Sequence, residues 1–360
     1  MASKYELVSA LAESTAQDLS RDPAAWMRFL DTAGRMYRYP FMDQLLIHAQ
    51  RPDATACAEL EVWNEKMNCW VNKGSKGIAL LTERNGWPRL RYVFDVSNVH
   101  PAWNVGRLPY IWQMRERDEG AAIAQLEKTY GKTDENRSLG YRLLEIADRI
   151  AEDYSGDLLP DLKDRLEDSL LYGLDDLNLE TRIRDTLRDS IGYMLLSRCG
   201  QDTADYDFSF EYLQDFNNLQ VMSVLGNAVS EMTEPLLMEI GRTVRITEQQ
   251  IARQEIREDR ALETAGNRDN AGQERIVNEV SERQKEAGAG NISPYAEKNE
   301  NGLANGQGNE YNALKRESKR QGDISTDDYV KGESAETNEA ITEEVKGGND
   351  HGTDLHAERG

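Results

Sequence analysis

The sequence predicts an α+β amino-terminal module, made of helices and a small antiparallel sheet, followed by an all-α region and a disordered acidic tail. Apolar residues recur at helical spacing up to about residue 67, and strand-like alternation follows as far as residue 96. The helical spacing then returns after residue 110 and dissolves beyond about residue 250. We therefore expect three segments, residues 1–115, 116–248 and 249–360.

The amino-terminal helices are predicted from apolar spacing and from local start and stop signals. Residues 3–18 form an amphipathic pattern. Asp22-Pro23 is typical of a helix start, because Asp accepts free N–H groups and Pro fits the first helical position. Tyr39-Pro40 should end this second helix, since a residue before Pro avoids the helical region. Two further helices are expected over residues 41–50 and 58–67.

The sheet is predicted from a change to strand periodicity. A short strand covers residues 69–72, and an apolar strand covers residues 78–83. Asn85-Gly86 favours a two-residue hairpin turn, because both positions tolerate a positive φ. The returning strand alternates, with one face holding Leu90, Tyr92, Phe94 and Val96 and the other holding Arg89, Arg91, Val93 and Asp95.

The second half of the chain is expected to be helical and then disordered. A helix over residues 111–130 should end at Gly131, and residues 138–245 should be almost entirely helix, restarting at Pro235. Residues 249–263 are expected to form a charged, fraying helix. Residues 264–360 contain no Trp or Phe, so they cannot bury enough apolar surface to offset the entropy of ordering.

Charge and tryptophan are distributed very unevenly. The formal net charge is -22, yet residues 21–115 hold thirteen basic and nine acidic side chains, and residues 116–360 hold 29 and 53. All six tryptophans precede residue 113. Basic and aromatic residues together are typical of nucleic-acid surfaces, although tryptophans in a plain hydrophobic core would produce the same composition.

Motif searches point away from catalysis. The sequence lacks HExxH, GxSxG and GxGxxG, and Tyr130 to Thr133 ends like a phosphate-binding loop without its leading glycine. The three cysteines form no CxxC pair, as expected in a reducing cytoplasm, and no apolar run has the length of a membrane helix. We expect a cytoplasmic, non-enzymatic protein with no catalytic residue, no cofactor and no metal site.

The most specific stretch of the sequence is residues 37–83. Three blocks stand out within it: Gln44-Leu45-Leu46-Ile47, Gln50-Arg51-Pro52-Asp53-Ala54-Thr55 and Lys73-Gly74-Ser75-Lys76-Gly77-Ile78. With Trp63, Val71 and the aromatic residues near position 39, they resemble the single-stranded-DNA-binding domain at the start of ArdC-type antirestriction proteins. Versions of that domain also begin large helicase/methylase-like proteins of mobile elements in Gram-positive bacteria. The resemblance covers about residues 20–115 and extends weakly to residue 245.

The resemblance implies binding of single-stranded DNA, and the residue chemistry agrees with it. Two lysines flanked by glycines can neutralise phosphates, and exposed aromatic rings can stack bases. The candidate nucleic-acid-binding residues are Arg35, Tyr37, Arg38, Tyr39, Gln44, Arg51, Trp70, Lys73, Gly74, Lys76 and Gly77. The chain departs from the family pattern at Asp43, where Asn is usual, and at Asn68-Cys69, where Gly-Arg is usual. The metalloprotease-like half of ArdC proteins is also absent, so protease-related roles do not transfer.

Three hypotheses about function follow. The chain is a sequence-tolerant DNA-binding protein of a conjugative transposon or other mobile element, which recruits strands to a helicase or methylase. Alternatively, its acidic half docks on a basic protein, such as a restriction protein, or mimics DNA charge as an antirestriction decoy. As a third alternative, the chain is the amino-terminal piece of a longer helicase/methylase polypeptide.

Overall fold

The computed structural model describes residues 2–103 and 108–287 and has the predicted fold class: helices with a small antiparallel sheet, followed by an all-helical region. The chain divides after Val244, and the described residues before and after this point belong to two separate compact units. The α-helices are α1 (Lys4–Arg21), α2 (Pro23–Arg35), α3 (Phe41–Gln50), α4 (Glu116–Tyr130), α5 (Leu139–Tyr154), α6 (Leu159–Lys163), α7 (Asp176–Arg198) and α8 (Leu219–Ala287). The strands are β1 (Cys57–Glu59), β2 (Cys69–Val71), β3 (Ile78–Arg84), β4 (Trp87–Asp95) and β5 (Val99–Pro101).

Local capping signals determine where the first helices begin. The Ser3 hydroxyl accepts a hydrogen bond from the Glu6 backbone N–H (3.2 Å), and the Glu6 side chain accepts one from the Ser3 backbone (2.7 Å). Asp22 accepts from the Ala24 N–H (2.9 Å), ahead of Pro23 at the first position of α2. The predicted starts of α1, α2 and α3 are therefore confirmed to within one residue.

Two small antiparallel arrangements contain all five strands of the described residues. β4 lies between β1 and β3, and the β3–β4 hairpin turns at Asn85 (φ 55°) and Gly86 (φ 75°), as their tolerance of positive φ predicts. β2 and β5 pair separately as a two-stranded ribbon, in which Trp70 lies opposite His100. In this second arrangement a tryptophan and a histidine become neighbours on one face.

The helix predicted over residues 58–67 is wrong in its first part. Cys57, Ala58 and Glu59 instead form β1, paired with Asp95, Phe94 and Val93 of β4. The rest of the prediction is confirmed, because residues 60–66 are helical and include a π-helix over Val62–Lys66. Pairing with a distant strand overrides the helical preference of Ala and Glu at these positions.

A single hydrophobic core joins the amino-terminal segment to the helices that follow it. Trp26 of α2 is fully buried and donates from Nε1 to Ser190 Oγ of α7 (3.0 Å). Gly226 of α8 leaves room for the ring of Phe41, whose nearest carbon is 2.1 Å from where a Cβ would stand. The predicted boundary near residue 115 therefore crosses a core that both segments share.

The helical half has longer interruptions than the sequence suggests. The helix predicted over residues 111–130 begins only at Glu116. Residues 164–175 and 199–218 contain only turns and short 3₁₀ segments, so residues 138–245 are less helical than predicted. Pro235 does not restart a helix but lies inside α8, where burial of Leu236 and Leu237 offsets the hydrogen bond that Pro removes.

The last described element is the continuation of α8 to Ala287. Residues 249–263 are helical, as predicted, and residues 264–287, which the sequence assigns to the tail, also continue the helix. The rest of the predicted disordered tail, residues 288–360, lies outside the described residues. Within the described part of the chain, no helix combines the length and the apolar character that crossing a membrane requires.

Candidate nucleic-acid interface

The β2–β5 ribbon presents an aromatic face to solvent. Alternate strand residues point to opposite faces, so Cys69 and Val71 pack with Val99 and Trp63 in a small second core, and Trp70 points the other way. The Trp70 side chain is 50% exposed. Its cross-strand neighbour His100 is also exposed, and Nδ1 of His100 lies 2.7 Å from Oδ1 of Asn72. A flat base could stack on this face, which we call the ribbon platform (Trp70, Asn72 and His100).

The Lys/Gly turn begins directly after the ribbon platform. The Ser75 N–H donates to the Asn72 carbonyl (3.1 Å), which closes the turn, and Gly74 has φ 87° with open space around it. Lys73 and Lys76 are exposed and make no ion pair with any described residue. Two exposed ammonium groups therefore follow Trp70 within a few residues, and their contact with phosphates stays a prediction.

Gly77 has a packing role that the sequence did not indicate. A Cβ at this position would stand 3.1 Å from the Phe94 ring and 3.2 Å from Cβ of Tyr92. The absence of a side chain therefore lets the turn approach β4 closely. This close packing is enough to explain a glycine at position 77, so no phosphate contact is needed to explain it.

The prediction of exposed tyrosines for base stacking is wrong for Tyr37 and is weakened for Tyr39. Tyr37 is 8% exposed and belongs to the main core. Tyr39 is partly buried, and its hydroxyl donates to the Cys57 carbonyl (2.8 Å). Burial raises the pKa of the Tyr39 hydroxyl well above its ordinary value, with the nearby Cys57 adding to the effect. Residues 36–40, which form the α2–α3 corner, pack between the core and β1, so both rings have contacts within the protein.

Gln44 and Arg51 also have structural partners in place of solvent. Gln44 is 1% exposed, its Nε2 donates to the carbonyls of Met36 and Tyr39, and its Oε1 accepts from Ser230 Oγ (2.9 Å). The prediction that Gln44 contacts DNA is therefore wrong. Arg51 donates to Asn98 and Ser97 and joins the loops before β1 and β5. These partners occupy most of the Arg51 donors, so it is a poor candidate for a phosphate contact.

Asp43 does not present its negative charge to solvent. It is 4% exposed and forms an ion pair with Arg91 of β4, which also contacts Glu59 (3.0 Å). Burial raises the pKa of Asp43, whereas Arg91 and its hydrogen bond act to lower it. Asp43 stands where the ArdC-type pattern has Asn, and Arg91 compensates its negative charge inside the protein. The ribbon platform therefore gains no negative charge from this residue.

Arg35 and Arg38 lie in a different place from the lysines. Both line a cavity of about 380 Å³ between the α2–α3 corner, β1 and the end of α7. Tyr37, Tyr39, Trp112 and Arg198 are also in its wall. Ile111, another wall residue, is exposed, so the cavity opens to solvent. The candidate residues therefore divide between the ribbon platform with its turn and this cavity.

No local sequence pattern points to three residues that lie at the ribbon platform or in the cavity. His100 is distinguished only by its pairing with Trp70 across the ribbon. Trp112 and Arg198 become neighbours because the end of α7 lies against the segment before α4, and Arg198 Nη2 donates to the Trp112 carbonyl (2.9 Å). Such a contact depends on tertiary packing, which local sequence patterns do not encode.

No protein-family model, no curated protein and no solved structure matches this chain. The resemblance to the ArdC-type domain therefore stands on the motifs of residues 37–83 alone. Within the described residues, no three or more His, Cys, Asp or Glu side chains are grouped as metal ligands would be.

Proposed function

We propose that this chain binds single-stranded DNA with little sequence preference, through the ribbon platform and the Lys/Gly turn. The observation that carries the proposal is the half-exposed Trp70, which is paired across the ribbon with His100. Two exposed lysines follow it within a few residues and form no ion pair with the part of the chain that the structure describes. Stacking on an aromatic ring accepts any base, and ammonium groups bind phosphates whatever the sequence. Single strands are favoured because only unpaired bases offer their faces.

The proposal assigns the chain no catalytic step. It would hold strands for a helicase or methylase in the cytoplasm of a cell that carries a mobile element, as the resemblance implies. The basic balance of residues 21–115 within an acidic chain supports a local electrostatic attraction for DNA.

The test is a fluorescence anisotropy titration of a labelled oligodeoxythymidine with the full chain, since the amino-terminal segment shares its core with α7 and α8. We expect Trp70→Ala to weaken binding by roughly 5- to 150-fold, corresponding to the ~1–3 kcal/mol of one stacked base. Trp87→Ala is the matched control, because Trp87 is 71% exposed but lies on the β3–β4 hairpin. Equal losses in the two variants would contradict the proposed site.

The lysines are tested by Lys73→Glu with Lys76→Glu in one variant. Losing two phosphate contacts should reduce the slope of log K against log salt by about 1.4, at ~0.7 per phosphate on single strands. Lys128→Glu with Lys163→Glu changes the net charge equally on the exposed faces of α4 and α6 and should leave the slope unchanged. An unaltered slope in the first variant would exclude the turn, and no binding by the unmodified chain would favour the protein-interaction hypothesis.

A further inference from the structure

The cavity beside the α2–α3 corner contains cationic groups that the protein itself does not neutralise. Among its wall residues, Glu59 is the acidic one, and Arg91 holds it at 3.0 Å while also pairing with Asp43. Arg35 and Arg198 have no carboxylate partner among the described residues. Their hydrogen bonds go to neutral groups, so both positive charges remain uncompensated inside a concave site.

A close helix contact brings these two arginines together. Gly34 of α2 faces α7, and a Cβ at this glycine would stand 3.5 Å from Cβ of Arg198. Arg35 is the next residue after Gly34, so the backbone that carries Arg35 lies close to Arg198. The positive charge of Arg35 also helps to lower the pKa of Arg198, so the two like charges repel each other, and an anion close to both would relieve the repulsion.

Each guanidinium is fixed by its neighbours and keeps hydrogen-bonding capacity. Arg35 donates from Nε to the Ala54 carbonyl (2.7 Å) and from Nη2 to the Pro52 carbonyl (2.7 Å). Arg198 donates from Nη2 to Trp112, while its buried Nε has no hydrogen-bond partner. A guanidinium offers five N–H donors, so both side chains retain N–H groups for a ligand. Burial lowers the pKa of Arg198, because the charged form loses hydration.

The rest of the wall fits a flat organic body. The wall includes the partly exposed rings of Tyr39 and Tyr110, whereas Arg38 lies over Tyr37 (5.6 Å to the centroid) and Arg198 lies over Trp112 (3.4 Å). Val62 and Met67 add apolar surface. The volume of about 380 Å³ lies in the range of small-molecule sites and suits one nucleotide.

We propose that this cavity binds the phosphate group of a nucleotide between Arg35 and Arg198, with the base against its aromatic and apolar wall. A phosphomonoester is a dianion whose oxygens match paired guanidinium donors. The group could belong to a free mononucleotide or to the phosphorylated end of a DNA strand. The site is separate from the ribbon platform, and its occupancy does not depend on the proposed function.

Isothermal titration of the full chain with deoxythymidine monophosphate, and with thymidine as the phosphate-free probe, tests the proposal. We expect the monophosphate to bind at least tenfold more tightly than thymidine. Arg35→Gln and Arg198→Met should each reduce its affinity by tenfold or more. Arg137→Met is the matched control, because Arg137 also lies over a tyrosine ring, Tyr141, but outside the cavity.

The outcomes separate this proposal from DNA binding by the ribbon. Lys73→Glu with Lys76→Glu should leave monophosphate affinity unchanged, and Arg35→Gln should leave the binding of a strand with a 5′-hydroxyl end unchanged. A 5′-phosphorylated oligonucleotide that binds more tightly than its hydroxyl counterpart, only when Arg35 is intact, would identify the strand end as the source. Equal binding of the two strands would identify the free nucleotide.

Two results would overturn the proposal. One is the absence of monophosphate binding at millimolar concentration by the unmodified chain. The other is an unchanged affinity in Arg35→Gln, whose folding is checked by its melting temperature and which keeps the Arg198 contact with Trp112 intact. Arg35→Gln therefore keeps the test decisive even if Arg198→Met does not fold.

Discussion

Arg198 lies over Trp112, with its guanidinium carbon 3.4 Å from the ring centroid, and its Nη2 donates a hydrogen bond to the carbonyl of the same residue. The pair joins the end of α7 to the segment that precedes α4. Because Trp112 is 6% exposed, the stacked cation is largely removed from solvent, where cation–π attraction is strongest.

The first prediction concerns the shape of this cation. Arg198→Lys keeps the charge but loses the planar group that stacks on Trp112, so we expect a loss of about 1–2 kcal/mol in the free energy of unfolding. Urea denaturation followed by circular dichroism measures it. Arg137→Lys, at an exposed Arg–Tyr pair, should change stability by less than about 0.5 kcal/mol. Equal effects in the two variants would contradict a buried stack.

The second prediction tests whether α3 and α8 share one core. Gly226→Ala would place a methyl group on the Phe41 ring, so we expect destabilisation of about 1–3 kcal/mol. The control is Gly120→Ala in α4, where nothing lies within 4 Å of the added carbon. Ala is the better helix former, so this variant should gain about 0.4–1 kcal/mol. Urea denaturation should show a lower free energy of unfolding for Gly226→Ala and a higher one for Gly120→Ala. An unchanged free energy of unfolding in Gly226→Ala would show that α8 does not pack against Phe41.

The third prediction concerns pH and His48. Burial, with help from the nearby Arg28 and Arg35, lowers the pKa of His48 to about 4. The unfolded chain protonates this side chain near pH ~6.5, so it binds the proton more readily than the folded chain. The contribution of His48 to stability is therefore fully present above that pH and is lost as the pH falls toward 4.

Two measurements check this expectation. The His48 ring signal in an NMR titration should show its midpoint near pH 4. The fall in stability between pH ~6.5 and ~4.5 should also be smaller in His48→Asn than in the unmodified chain, because the variant has no group to titrate there. An ordinary midpoint with identical pH dependence in both proteins would contradict the buried, neutral histidine.

Elements fixed by short-range chemistry could be predicted from the sequence. The Asp22-Pro23 start of α2 and the Asn85-Gly86 turn depend only on capping and on the φ that those residues accept. β1 could not be predicted in this way. Residues 57–59 become extended only because β4 lies beside them.

The residues of the candidate site could likewise be predicted only where they follow from a local sequence pattern. A glycine-flanked lysine turn next to a strand has a recognisable sequence, so Lys73, Lys76 and Trp70 can be named as candidates from the sequence. Tyr37 has the same chemistry as an exposed stacking residue, and only the tertiary structure shows that it is buried. Arg198 could not be predicted, since its contact with Trp112 joins distant parts of the chain.

We expect a single strand of DNA to stack on the ribbon platform. An oligonucleotide containing 5-iododeoxyuridine, photocrosslinked to the full chain and mapped by mass spectrometry of peptides, tests it directly. We expect the adduct on Trp70 or His100, with the Trp70 adduct absent from Trp70→Ala. Adducts confined to other peptides, such as those containing Trp87 or Trp103, would contradict the claim.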